Sequence, residues 1–159
     1  MRVFGKILKK RAMQQLMWWT QAKFVVAVVV VVFYHDSVLL LEHSYRPRYP
    51  WGLPTGWVQY GETLEAAARR EVWEEAQVTL GSLHWLYETF PSRRHLEVAY
   101  WAEATQIGTQ KASLDGEITA IAWTPWPGTL PDTLLPTQRN IIHRAGMERN
   151  NSHQLKSDP

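Results

Sequence analysis

The hydropathy pattern is dominated by an unbroken apolar run, FVVAVVVVVF, at residues 24–33. Valine is β-branched and favours extended backbone, and a continuous apolar run of strand length is typical of a strand covered on both faces. A membrane-spanning helix would need about 20 apolar residues. The YHDS that follows the run offers no signal-peptide cleavage site. The run therefore predicts a central strand of a sheet protein, with no membrane span.

Shorter apolar segments predict further strands and two helices after the central strand. The strands are expected in VLLLEHS, SLHWLYETF, HLEVAYWAEA and EITAIAWTPW, at residues 38–44, 82–90, 95–104 and 117–126. One helix is predicted over residues 63–76, which contain no proline or glycine, and a short closing helix over 136–146, ending at Gly146. Because strands and helices are interleaved, we expect a sheet layered with helices.

The chain divides into three predicted segments. Residues 1–22 place apolar side chains at helical spacing with basic residues mostly opposite, which predicts an amphipathic helix packed on its own domain or on a second subunit. A membrane-surface or nucleic-acid contact is the less favoured interpretation of this helix. Residues 23–146 are expected to form the main domain. The polar residues 147–159 are expected to be disordered.

Composition adds a charge asymmetry and excludes cysteine chemistry. The 159 residues carry a formal net charge of +2, but the first 23 contain six basic side chains and no acidic one. The basic character therefore belongs to the N-terminal arm and is weak support for nucleic-acid binding, which we do not expect. The chain has no cysteine, which rules out disulfides, thiolate metal sites and cysteine nucleophiles. This composition fits a reducing cytoplasm, where we expect the protein.

The helix predicted over residues 63–76 carries an acidic stripe. Glu71, Glu74 and Glu75 share one face because residues three and four apart are neighbours on a helix. A separate stripe of apolar residues would pack on the sheet, so the acidic stripe points away from the core. Like charges at this spacing repel, and either a divalent cation or arginines such as Arg70 would compensate them. The helix alone leaves both alternatives open.

The loop before this helix adds a fixed spacing to the acidic stripe. Gly56 is followed after five residues by Glu62, and after seven more by REVWEE at residues 70–75. This arrangement resembles the signature of the Nudix hydrolases, G-x5-E-x7-R-E-U-x-E-E-x-G-U, where U is apolar. Two positions depart from it: Gln77 replaces the last glycine, and LPTG replaces the more usual LPGG. The family glycine is expected to end the helix in a left-handed conformation, which would strain Gln77.

The resemblance covers roughly residues 24–143 and implies both a fold and an activity. The fold it implies is α/β, a Nudix-type α/β/α sandwich around a mixed β-sheet. The activity it implies is hydrolysis of the pyrophosphate bond of a nucleoside diphosphate derivative, with Mg²⁺ or Mn²⁺ as the cofactor. A metal ion suits this chemistry because it neutralises the anionic pyrophosphate and lowers the pKa of a bound water.

The resemblance also assigns roles to residues of the signature. Glu71, Glu74 and Glu75 would bind the metal, joined by the backbone carbonyl of Thr55. Arg70 would orient a carboxylate, while Gly56 and Glu62 would have structural roles. Family members place the general base either on this helix, at residues such as Glu71 and Glu74, or on a later loop. The candidates on that loop are Glu117 and, as a weaker rival, Asp115.

The substrate is expected to meet the loop ahead of the signature. Arginine suits phosphate, and aromatic faces suit a nucleobase. The candidate substrate-binding residues are Arg46, Arg48, Tyr49 and Trp51, with Arg93 in a later turn. The signature does not select among ADP-ribose, sugar nucleotides, dinucleoside polyphosphates and oxidised nucleoside triphosphates. A Nudix-fold binding or regulatory domain without catalysis is the alternative. Because homodimers are common among Nudix relatives, the resemblance also allows a homodimer.

Overall fold

The computed structural model describes residues 13–14, 23–109 and 116–157 of the chain. Within them, eight strands and two long helices alternate along the sequence. The elements are β1 (Val25–Tyr34), β2 (Ser37–His43), β3 (Trp51–Gly52), β4 (Thr55–Trp57), α1 (Leu64–Ala76), β5 (Val78–Leu80), β6 (His84–Ser92), β7 (His95–Ile107), β8 (Ile118–Pro125) and α2 (Pro136–Ser157).

The valine-rich strand β1 lies in the middle of one mixed sheet, as its hydropathy predicts. Its central residues from Val28 to Phe33 are completely buried. The sheet has the order β3-β2-β1-β7-β5, while β4 pairs with β1, β6 with β7 and β8 with β2. Strands β1 and β7 run parallel, and the other pairings are antiparallel.

The two helices cover opposite faces of this sheet. Val28, Val30 and Val32 of β1 pack in a core that includes the buried side of α1. Their neighbours Val29 and Val31 pack in a second core with residues of α2. Successive side chains of a strand point to opposite faces, so one uninterrupted valine run supplies both cores. The α/β/α sandwich with a mixed sheet is therefore confirmed.

Helix α1 begins and ends with local signals in the sequence. The Thr63 hydroxyl accepts a hydrogen bond from the Ala66 N–H at 3.1 Å, which satisfies one free donor of the first turn. At the other end Gln77 has φ 54° and ψ 39°, and its N–H donates to the Trp73 carbonyl at 2.8 Å. The left-handed cap expected from the signature is thus present, and a glutamine occupies it.

Replacing Gln77 by glycine is expected to stabilise the protein. A side chain in the left-handed region costs about 1 kcal/mol relative to glycine. We therefore expect Gln77→Gly to raise the free energy of unfolding by about 1 kcal/mol in urea titrations. Gln77→Ala retains the Cβ and serves as the control, which should show no such gain. Equal stability of the two variants would contradict the strain at this cap.

Helix α2 corrects two predictions about the end of the chain. The helix does not end at Gly146, and residues 147–157 are helical where the polar composition predicted disorder. Gly146 instead permits close packing, because a Cβ there would lie 2.5 Å from the Trp126 Nε1 atom. Further along, Arg149 donates to the Glu103 carboxylate at 2.6 Å and to the His35 carbonyl at 2.8 Å. These tertiary contacts hold a segment that its composition alone would not order.

The structure adds three short strands to the predicted ones and describes little of the N-terminal segment. Strands β3, β4 and β5 were not predicted, and the first two lie in the segment before α1 that was expected to be a loop. Of the helix predicted over residues 1–22, the structure describes only Met13 and Gln14, which are helical and exposed. The rest of that prediction lies outside the described residues. In the described part of the chain no helix is both long enough and apolar enough to span a membrane.

Candidate active site

Strand β4 brings the glycine of the signature against the acidic face of α1. Gly56 pairs with Val28 of the central strand. A methyl group on Gly56 would overlap the Glu71 carboxyl group. Only a residue without a side chain therefore allows Glu71 to lie directly against the strand, which explains why the spacing between this glycine and the helix matters.

The guanidinium of Arg70 is hydrogen-bonded to three acidic side chains of the signature. It donates to both Glu62 carboxylate oxygens at 2.9 Å, to Glu71 at 2.7 Å and to Glu74 at 3.1 Å. A further bond reaches the Trp57 carbonyl at 2.9 Å. The bond from Arg70 lowers the pKa of Glu62, whereas burial raises the pKa of Glu71 in spite of the same arginine. Arg70 thus ties α1 to the loop and to β4.

Glu75 is the most buried carboxyl group of the acidic stripe. One of its oxygens accepts a hydrogen bond from the Thr55 N–H at 3.2 Å. Burial raises the pKa of Glu75 to about 8, and the charges of Glu71 and Glu117 act in the same direction. The Thr55 N–H and the positive charge of Arg46 oppose this rise without cancelling it. At neutral pH the site therefore favours an added positive charge near Glu75, either a proton or a cation.

Helix α2 holds the loop that presents Thr55 to Glu75. The buried Gln138 accepts a hydrogen bond from the Leu53 N–H at 2.7 Å and donates to the Thr55 hydroxyl at 3.4 Å. That hydroxyl in turn donates to the Leu53 carbonyl at 2.9 Å. The position of the Thr55 backbone is thus set from the opposite side of the sheet.

A cavity of about 460 Å³ opens beside these residues. This volume is within the usual range of sites for small molecules. Its wall includes Thr55 and Gly56, which contact Glu75 and Glu71 respectively. The other lining residues come from β1, β4, β7, α2 and the loops around them: Ala27, Tyr45, Arg46, Trp57, His95, Glu97, Glu117, Leu135, Thr137 and Gln138.

The structure separates the predicted substrate-binding residues. Arg46 lines the cavity, and its Nη1 atom is buried without a hydrogen-bond partner among the described residues. Arg48 and Tyr49 lie elsewhere on the loop, in a cation–π contact of 5.3 Å. Trp51 packs against the core on the α2 side, and Arg93 is exposed in the turn between β6 and β7. Of this group only Arg46 forms part of the cavity wall.

Glu117 also lines the cavity, as its proposed role requires. Its carbonyl accepts a hydrogen bond from the Ser44 N–H at 2.9 Å, which joins the segment before β8 to the end of β2. The rival Asp115 lies outside the described residues.

Several cavity residues were missed by reasoning from the sequence, although weak signals existed. His95 and Glu97 alternate along a predicted strand, so they share a face. Gln138 precedes the buried Ile141 and Ile142 at helical spacing, which marks a polar side chain on an apolar stripe. Trp57 directly follows the signature glycine. None of these positions indicates a cavity until the elements are assembled.

His43 lies buried behind Arg46 and gives the site an acid-sensitive element. It is 1% exposed, and neither ring nitrogen has a hydrogen-bond partner among the described residues. Burial, together with the charge of Arg46, lowers the pKa of His43 to about 4 from 6.5. The unfolded chain therefore binds a proton that the folded chain excludes between these two pH values.

We expect His43 to reduce stability at acid pH. Above pH 6.5 the imidazole is neutral in both states and does not lower the free energy of unfolding. As the pH falls from 6.5 to about 4, protonation of the unfolded chain lowers that free energy. The loss amounts to about 3 kcal/mol. His43→Leu should therefore flatten the pH dependence of the unfolding free energy over this window, measured by urea titration. His143→Gln, at an exposed position on α2, is the control, and an equal flattening there would contradict the assignment.

The donor set of the acidic stripe fits a hard divalent cation. Glu71, Glu74 and Glu75 supply carboxylate oxygens, which Mg²⁺ and Mn²⁺ prefer, and the raised pKa of the half-buried Glu75 fits a site short of positive charge. Among the described residues, no three acidic or histidine side chains are arranged to hold a metal ion as they stand. Arg70 occupies oxygens of Glu71 and Glu74 in this arrangement. The second oxygen of each carboxylate is not bonded to Arg70 and would be the one to meet a cation.

Known proteins resemble this chain in sequence and in fold. Over 108 residues it is 32% identical to 8-oxo-(d)GTP phosphatase of Mycolicibacterium smegmatis, an alignment that covers 63% of this chain and 31% of that protein. The chain spans about a third of the length of the curated relatives it matches.

Two solved structures show the same fold at low identity. A NUDIX hydrolase from Nitrosomonas europaea superposes with a TM-score of 0.69 at 20% identity, covering 82% of this chain and 74% of that one. The NUDIX domain of Shewanella oneidensis NrtR, crystallised with ADP ribose, gives a TM-score of 0.64 at 22% identity, covering 80% and 89%.

A match to a family model identifies the family of this chain. The model of the NUDIX domain matches residues 23–145, from just before β1 into α2. The match includes the spacing of Gly56, Glu62 and the glutamates of α1, and the sandwich observed here is the fold of the solved NUDIX structures. The chain therefore belongs to the NUDIX family.

Proposed function

We propose that this protein is a divalent-metal-dependent hydrolase that cleaves the pyrophosphate bond of a nucleoside diphosphate derivative. One observation carries the proposal: Thr55 and Gly56 line the cavity and also contact the acidic residues of α1. A ligand in the cavity would therefore place its anionic groups at the edge of the acidic stripe. Functional sites often combine a pocket with groups of perturbed pKa, and Glu75, which is bonded to the lining residue Thr55, is such a group.

Glu71, Glu74 and Glu75, with the Thr55 carbonyl, would hold Mg²⁺ or Mn²⁺ in this proposal. A bound ion of this kind neutralises pyrophosphate charge and makes water a better nucleophile. Arg70 keeps Glu62, Glu71 and the Trp57 carbonyl together, so it acts as a positioning residue.

Two cavity residues would act on the substrate directly. Arg46 has a buried guanidinium nitrogen without a partner among the described residues, and a phosphate oxygen is the acceptor that would satisfy it. Glu117 would accept the proton of the attacking water, since this residue lines the cavity. The part of the cavity near Trp57 and His95 is left for the base or for the second moiety.

The proposal is tested with a panel of nucleotides resolved by chromatography and mass. The panel contains ADP-ribose, 8-oxo-dGTP, a sugar nucleotide and a dinucleoside polyphosphate, each with Mg²⁺, with Mn²⁺ and with EDTA. We expect at least one compound to be split at its pyrophosphate when metal is present and none with EDTA. Tight binding without products under every condition would instead favour a nucleotide-binding regulatory domain.

A further inference from the structure

Three residues form a row across the sheet at the floor of the cavity. Glu97 of β7 is paired in register with Ala27 of β1, and Ala27 is paired with Trp57 of β4. Paired residues on neighbouring strands point to the same face, so the three side chains share the α2 side of the sheet. All three line the cavity. The backbones of Glu97 and Trp57 stand about 10 Å apart, two strand spacings, with only a methyl group between them.

The carboxyl group of Glu97 takes no part in the hydrogen bonds that hold the described part of the fold together. Within the described residues, no backbone or side-chain group is hydrogen-bonded to it, and the charges that act on it are those of His95 and Arg46. Burial raises the pKa of Glu97, and those two charges oppose the rise. A half-buried acceptor of this kind in a cavity wall is costly unless a ligand donates to it.

Trp57 supplies the opposite wall of the same space. Its side chain is 55% exposed, and its ring is 4.9 Å from the ring of His95. The indole thus packs against His95 on one side, and its exposed surface is left for stacking with a base. Aromatic stacking of a base is worth about 1–3 kcal/mol and does not depend on which base is bound. Trp57 can therefore hold a base but cannot identify it.

Glu97 can identify a base because an ionised carboxylate only accepts hydrogen bonds. Guanine places two donors side by side, N1–H and the N2 amino group, which match the two carboxylate oxygens. Adenine and cytosine place an acceptor next to their amino donor, and uracil places carbonyl acceptors on both sides of its N–H. A guanine base oxidised at C8 keeps both donors. A carboxylate in this position would thus favour guanine-type bases.

We propose that Glu97 selects a guanine-type base by accepting hydrogen bonds from its N1–H and N2 amino groups, with the base stacked on Trp57. This inference rests on the proposed function, because it places the base of the same substrate whose phosphates meet the acidic stripe. It names the specificity-determining residue and the class of nucleotide that the cavity takes.

The test measures binding of nucleotides that have no pyrophosphate bond, so it does not depend on catalysis. GMP and AMP are titrated into the protein by isothermal calorimetry at pH 8. We expect GMP to bind at least about tenfold more tightly than AMP, the difference of about one charge-assisted hydrogen bond. Glu97→Gln presents one acceptor and one donor, which matches adenine, so it should abolish or invert this preference. Equal affinities in the wild type, or no binding of GMP, would overturn the proposal.

Matched variants separate recognition from structural damage. Glu88→Gln is the same change on β6, at an exposed position paired with Val98 on the opposite face, and should leave the GMP preference unchanged. Trp57→Ala should weaken GMP and AMP about equally, by roughly tenfold, whereas Trp73→Ala, a similarly exposed tryptophan on α1, should weaken neither. Thermal melts show whether each variant is folded. A folded Glu97→Gln variant that retains the wild-type preference would overturn the assignment, whatever the outcome of the hydrolysis assays.

Discussion

Replacing Glu75 by glutamine is expected to reduce nucleotide hydrolysis by about 10³-fold while the protein becomes more stable. The loss of activity follows because the variant lacks the carboxylate that would hold the cation. Turnover is measured on whichever compound of the nucleotide panel is cleaved, at saturating Mg²⁺. Glu65→Gln, in the exposed first turn of α1, is the same change outside the site and should keep the wild-type rate.

The gain in stability follows from the pKa of Glu75. The folded-state value is about 8 against an ordinary value of 4.5, so the folded protein binds a proton that the unfolded chain releases in this range. The contribution of Glu75 to stability is thus complete below pH 4.5 and is lost as the pH rises through 8. Glutamine mimics the protonated form, so we expect the variant to exceed the wild type by about 4 kcal/mol at pH 8 in EDTA.

Two results would contradict this account of Glu75. Activity close to that of the wild type would remove Glu75 from the proposed metal site. A variant that is less stable than the wild type at pH 8, with the difference independent of pH, would mean that the carboxylate is already stabilised by its surroundings. Urea titrations from pH 5 to 8 in EDTA measure the second quantity directly.

Replacing Arg70 by lysine is expected to reduce both stability and turnover. The guanidinium makes five hydrogen bonds at once, to Glu62, Glu71, Glu74 and the Trp57 carbonyl, and its side chain is only 22% exposed. Lysine keeps the charge but cannot bind both Glu62 oxygens in a planar fork. We expect a loss of about 2 kcal/mol in unfolding free energy. Turnover should fall about 10–100-fold, the usual effect of removing a group that orients metal-binding side chains.

The neighbouring arginine is a control for this change. Arg69 donates to the Leu80 and Gly81 carbonyls and contacts no carboxylate of the acidic stripe among the described residues. Arg69→Lys should therefore lower stability without a specific loss of turnover at saturating Mg²⁺. If both variants lose activity in proportion to their stability, Arg70 has a structural role alone and does not position the glutamates.

The parts of the fold set by local pattern could be predicted from the sequence. The valine run of β1 indicated a strand with two covered faces, and the residues from Thr63 to Ala76 indicated a helix. The left-handed cap at Gln77 followed from the resemblance, because the signature has glycine where the backbone needs that conformation. The extension of α2 past Gly146 could not be predicted, since it depends on contacts between Arg149 and Glu103, distant in sequence.

In the candidate site, too, the features set by local pattern could be predicted and those set by distant contacts could not. The glutamates of α1 share a face by helical geometry, so their proximity needed no structure. The cavity was different: Glu97, Trp57 and Gln138 come from three elements and meet only through sheet register and the packing of α2. Arg48, Tyr49 and Trp51 were chosen by chemical type in a loop, and chemical type does not determine which way a loop faces. The assignments of Glu71, Glu74, Glu75 and Thr55 to metal, and a homodimer, stay predictions.

Hydrolysis in ¹⁸O-labelled water tests the central proposal most directly. The protein is incubated with Mg²⁺ and the nucleotide panel in labelled water, and the products are analysed by mass spectrometry. We predict that one phosphate-bearing product of a cleaved compound gains a single ¹⁸O atom, because water attacks phosphorus and breaks the pyrophosphate bond. Glu75→Gln should form about 10³-fold less labelled product. Bound but uncleaved nucleotides, or cleavage without ¹⁸O in a phosphate, would contradict a pyrophosphohydrolase.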